Sequence, residues 1–230
     1  MMWFSVEPGM FLIIATLFLP KFVRWRKIAG SEVPTEIAAI AEDLQRITGV
    51  SAQVQIADVY GAQAVWPNTI LISPRHAASP GVDGVLAHEW AHLALRHTRK
   101  MQGMIAAFTG LWWAMAAFFW SHPMPRAALW LGLVFGILPV VVVAVSRHHE
   151  WQADAFVAEC GLFYAIALKG TLLFEAELHP DSRYGIVRAI STHPPLLARA
   201  ARLEVLIEAV TAAGIRQRRN EGRCEGGIVK

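Results

Sequence analysis

Two stretches without a charged side chain, Met104 to Ser121 and Ala127 to Ser146, constrain this chain more than any other feature. Each is close to the roughly 20 residues that a helix needs to cross the hydrocarbon core of a bilayer. Only His122, Pro123, Met124, Pro125 and Arg126 separate them. The pattern predicts a helical hairpin through a membrane with a tight turn. A buried core helix is the competing explanation, but two adjacent uncharged, Trp-rich stretches would be unusual in a soluble domain of this size. Composition agrees: hydrophobic residues make up 55% of the 230 and charged ones 17%, more apolar than an ordinary soluble domain.

A third apolar run, Met10 to Leu19, lies within the first 20 residues. No Lys or Arg precedes it, whereas Lys21, Arg24, Arg26 and Lys27 follow, the reverse of a secretory leader. The expectation is an uncleaved anchor over 1–20 with its basic flank in the cytoplasm. Arg96, Arg99 and Lys100 before the second span and Arg147 after the third then fall on that same side. The soluble parts are therefore expected to face the cytoplasm of a multi-pass protein, with a bacterial inner membrane the natural setting. Cys160 and Cys224 have no metal-type spacing, and a reducing compartment leaves them free. The formal charge of +3 comes from residues beside the spans and in the tail. Contact with anionic lipid explains it more simply than nucleic acid, which is not expected as a partner.

The remaining chain predicts a mainly α fold with a small β-sheet, an α+β core interrupted by transmembrane helices. Thr35 to Thr48 carries apolar residues at helical spacing between Pro34 and Gly49. Gln53 to Ala57, Ala62 to Trp66 and Thr69 to Ser73 read as short strands, the last a plausible free edge for an extended peptide. A helix is expected from Pro80 to Lys100, and others over Arg147 to Glu159, Leu162 to Leu178 and Pro194 to Ala213. The catalytic domain then comprises 31–103 and 147–213 around the hairpin 104–146, with a basic, disordered tail over 214–230.

The chemistry resides in Leu86-Ala87-His88-Glu89-Trp90-Ala91-His92. Two histidines four apart on a helix share one face and can bind one ion, while Glu89 can reach a zinc-activated water as general base without ligating. Zinc needs a third protein ligand and keeps its fourth position open. His97 is excluded if the helix is continuous: five residues at ~100° each place it roughly 140° off the metal face. Glu150, at the cytoplasmic end of the third span, is the better candidate, because the hairpin returns the chain to the side it left. His148 and His149 are rivals that spacing alone leaves open. Asp154 lies one turn beyond Glu150 on the same face, suited to accept a hydrogen bond from a ligating histidine.

With Glu150 and Asp154 in a Glu-x-x-x-Asp pattern, and Ser191-Thr192-His193-Pro194-Pro195 followed by Arg199, the chain resembles the HtpX-like membrane metallopeptidases, related to the CAAX prenyl proteases. The resemblance covers roughly Val54 to Leu203. It implies one zinc per chain held by His88, His92 and Glu150, Glu89 as base and proton shuttle, and His193 or Arg199 stabilising the developing oxyanion. One departure is that such proteins have a longer N-terminal membrane region.

The function expected is hydrolysis of peptide bonds in unfolded or membrane-proximal proteins by a zinc metalloendopeptidase, with membrane lipid as its other partner. The alternatives are a regulatory signalling metalloprotease, a di-iron oxidase built from the histidines, and a non-catalytic membrane scaffold with a structural zinc. The oxidase leaves Glu89 without a reason, and the scaffold lacks a fourth strong ligand.

Overall fold

The computed structural model describes residues 32–59, 61–65, 67–121, 127–178 and 193–225. Within its helices, the side chains of 119–121, 127–135 and 215–225 are left undescribed. The anchor expected over 1–20, the turn between the uncharged stretches and the Ser191-Thr192 pair lie outside these residues.

Helix α1, Thr35–Thr48, starts after Pro34 with Glu36 in its first turn, and Gly49 at φ 68° ends it in the left-handed conformation glycine adopts most readily. Three strands follow: β1 Gln53–Ile56, β2 Ala62–Val65 and β3 Thr69–Ile72. Their order is β1-β3-β2, with β1 parallel and β2 antiparallel to β3. The central strand is therefore β3, and Ile70 and Ile72 are fully buried in it. This corrects the expectation that Thr69 to Ser73 offers a free edge: both of its sides are paired, and β2 is an edge instead. Pairing register, which decides that order, has no signature in strands of four residues.

After a single turn, α2 Pro74–Ala77, the motif helix α3 runs Val82–Ala94. It packs Leu86 and Trp90, both fully buried, against Ile37 and Leu44 of α1 and Ile70 and Ile72 of the sheet. Trp90 Nε1 donates to Thr48 Oγ1 at 3.0 Å and to the Val50 carbonyl at 3.1 Å, tying α3 to the end of α1. At Gly84 a Cβ would overlap the backbone of Leu168, so this glycine lets α3 lie directly on the later helix that carries Leu168.

The helix expected to continue to Lys100 breaks instead. Leu95 ends α3, Arg96 takes φ 57°, and α4, His97–Ser121, sets off in a new direction. The break has no Gly or Pro to announce it, since Leu, Arg and Ala are all good helix formers.

Helix α4 contains a segment, His97–Phe118, long and apolar enough to cross a membrane, the one such helix found among the described residues. Its partner α5, Ala127–Cys160, packs beside it and carries Pro139 internally. Leu111, Trp113 and Phe118 on α4 and Ile137 and Val140 on α5 are exposed. At about 1.5 Å per residue, the 34 residues of α5 run unbroken from the hairpin into the packed body of the fold. Helix α6, Leu162–Leu178, and α7, Leu196–Glu225, complete the core through Tyr164, Leu168, Leu172, Ala200 and Leu203. The backbone of α7 stays helical through Glu225, past Gly214 where a disordered tail was expected.

Candidate metal centre

Helical spacing puts His88 and His92 on one face of α3, and α5 brings Glu150 and Asp154, one turn apart, to meet them. One ligand atom from each of His88, His92 and Glu150 lies within 4.8 Å of the other two. His88 Nε2 and His92 Nε2 are 3.2 Å apart, His88 Nε2 is 3.2 Å from Glu150 Oε2, and His92 Nε2 is 3.5 Å from Glu150 Oε1. Tetrahedral ligands about 2 Å from one ion stand roughly 3.3 Å from each other, so this donor set fits a divalent metal. Glu150 Oε2 supports the fit further. It is buried, and although His88 and Arg199 nitrogens approach it, neither is aligned as a hydrogen bond. Among the described residues that oxygen has no hydrogen-bond partner, a state that a cation would relieve.

The surrounding charges hold the carboxylates ionised. Burial alone raises the Glu150 carboxyl, but the neighbouring His193, His88 and His92 side chains outweigh it and keep the group well below the usual carboxylate range. Asp154, fully buried, is likewise raised by burial and held down by Arg199 and His88. Its Oδ1 lies 3.0 Å from His88 Nδ1. His88 feels burial and the Arg199 charge downward, yet contacts with Asp154 and Glu150 prevail and bring it to about 9. A metal at this imidazole competes with protonation.

Arg199 also reaches this centre and lines the cavity. It is 6% exposed; Nε and Nη2 donate to the two Asp154 oxygens at 2.9 and 2.6 Å, and Nη1 lies 3.0 Å from Glu150 Oε2. A guanidinium engaged this way braces two carboxylates, and its Nη2 also lies 3.2 and 3.3 Å from the two ring nitrogens of His88. His193 stands at the cavity mouth, its side chain 65% exposed and its Nδ1 3.1 Å from Glu150 Oε1. Glu89, half-buried, faces the same cavity, and its Oε2 accepts from the Ala64 amide of β2 at 2.6 Å. The Ala64 carbonyl is 3.4 Å from Thr98 Oγ1, so both backbone groups of Ala64 point off the sheet toward α3 and α4. Val85, Leu168 and Leu172 give this cavity an apolar wall.

The rival ligands separate. His148 is exposed, while His149 is buried and stacks on His97 with ring centroids 4.1 Å apart. His97, set aside on the assumption of a continuous helix, is folded back by Arg96 until its Nδ1 is 3.0 Å from His92 Nδ1. No sequence signal marked that return.

Comparison with known proteins agrees with this centre. The family model described as peptidase family M48 matches residues 70–207, from β3 into the first turns of α7. A protein named protease HtpX homolog, from Gemmatimonas aurantiaca, is 28% identical over 216 residues, covering 80% of this chain and 73% of its own length. No solved structure matches the chain.

Proposed function

The chain belongs to peptidase family M48, a family of metallopeptidases, and from that premise we propose that it is a membrane-embedded zinc endopeptidase acting on unfolded or membrane-proximal proteins. The observation that carries the reading is the mutual spacing of His88 Nε2, His92 Nε2 and Glu150 beside a carboxylate, Glu89, that faces the same cavity. His88, His92 and Glu150 would hold the zinc. When bound, zinc supplies Lewis acidity toward a peptide carbonyl and toward water.

The chain's own residues do the rest. Glu89 takes the proton of the attacking water on a carboxylate oxygen and delivers it to the nitrogen of the leaving amine. His193, at the mouth, is placed to donate to the carbonyl oxygen as charge builds there. Asp154 and Arg199 hold His88 and Glu150 in position from the buried side. An extended substrate adds to β2, where the amide and carbonyl of Ala64 point outward; its backbone competes with Glu89 for the Ala64 amide.

The membrane setting rests on the uncharged, exposed hairpin and on the sequence likeness to an HtpX homolog. Basic residues at the catalytic ends of α4 and α5 favour a body facing the cytoplasm, of a bacterial inner membrane. The deciding experiment measures metal content and casein cleavage on the detergent-purified chain and on Glu89→Gln. The expected result is about one zinc in each protein and a loss of cleavage of at least ~100-fold in the variant. Equal cleavage by both proteins would remove Glu89 from the mechanism. Zinc in both with cleavage in neither would favour the non-catalytic scaffold.

A further inference from the structure

The two histidines of the motif are oriented by different partners. His88 Nδ1 faces a carboxylate, Asp154. His92 Nδ1 faces a third imidazole: His97 Nδ1, at 3.0 Å. His97 is 2% exposed, its Nε2 is 3.0 Å from Gln152 Oε1, and its ring lies flat on His149 with planes 9° apart. A neutral imidazole carries one N–H. The amide oxygen of Gln152 is an acceptor, so the N–H of His97 is at Nε2 and its Nδ1 presents a lone pair. His92 must then donate from Nδ1, which leaves its own Nε2 bare and directed at His88 Nε2 and the Glu150 carboxylate.

We propose that His97, set by Gln152 and His149, is a positioning residue that fixes the tautomer and ring plane of His92 so that Nε2 is presented to the metal. The proposal rests on the metallopeptidase reading above. Because the acceptor is neutral, it directs His92 without adding another negative charge beside Glu89, Glu150 and Asp154. The left-handed turn at Arg96 exists on this account to return His97 over the last turn of α3.

The test uses the full chain in detergent and reads zinc affinity by competition with a chromophoric chelator, with circular dichroism and melting to check folding. His97→Phe keeps the ring and its stacking but removes the acceptor; affinity is expected to fall ~10–100-fold. His97→Asn puts an amide oxygen where Nδ1 was, and is expected to bind within about threefold of the parent chain. Gln152→Leu releases the His97 tautomer, and a loss of roughly 3–10-fold is expected. The proposal is overturned if folded His97→Phe binds within twofold of the parent, or if Phe and Asn lose affinity equally, which would mean packing alone. Should His97→Phe not fold, unchanged affinity in Gln152→Leu overturns it by the same logic. A parent chain that binds no zinc would fail the metallopeptidase reading itself, whereas zinc in the parent with no effect at His97 fails only this inference.

Discussion

Arg199 is buried between the two carboxylates of the centre, Asp154 and Glu150. It neutralises Asp154 directly and lies 3.0 Å from Glu150, with all three side chains buried. Removing one member of a buried charged network leaves the others unpaired, a loss of about 3–5 kcal/mol, whereas removing both partners is far milder. Arg199→Leu is therefore expected to lower the melting temperature of the detergent-purified chain sharply. Arg199→Leu combined with Asp154→Leu should recover most of that stability. Zinc affinity should not recover with it, because Asp154 also orients His88 through Nδ1. A single variant that melts with the parent would mean the network contributes little to stability, and its service would be to geometry alone.

At the scale of elements, the decisive feature is the break between α3 and α4. A left-handed backbone at a residue with a Cβ is unfavourable by roughly 1–2 kcal/mol, and glycine avoids that strain. Arg96→Gly should thus leave stability equal or slightly raised, while β-branched Arg96→Val should lower it by about 1–2 kcal/mol and weaken zinc binding by displacing His97. Thermal melts and chelator competition on the two variants measure both effects; equal behaviour of Gly and Val would show that the turn is not held left-handed. The same break explains what could be read from sequence. The placement of His88 and His92 follows from helical periodicity, and that of Glu150 with Asp154 from periodicity plus the return of an uncharged hairpin. The bounds of α1 follow from periodicity framed by Pro34 and Gly49. His97 was not legible, because Ala94, Leu95 and Arg96 favour helix locally and tertiary packing overrides them. The order β1-β3-β2 was hidden for a related reason: pairing partners are chosen by the core that Ile70 and Ile72 enter, and that core includes residues remote in sequence.

For the molecule as a whole, α5 is one continuous helix joining the apolar hairpin to the candidate metal centre. Glu150 lies four residues beyond Ser146, the last of the uncharged stretch, which is about 6 Å along a helix axis. If the uncharged stretch ends at the edge of the hydrocarbon core, the centre sits within one or two helical turns of the bilayer. A scissile bond must come to that height, and an extended chain rises about 3.3 Å per residue. In proteoliposomes, a single-span reporter should therefore be cleaved best where its target sequence begins within roughly ten residues of the span, and progressively less as a flexible spacer is lengthened. Mass spectrometry of the products locates the cut, and Glu89→Gln controls for contaminating proteases. Cleavage that ignores spacer length, or proceeds equally on the soluble part of the reporter alone, would detach the activity from the membrane and leave α4 and α5 as an anchor without influence on substrate choice.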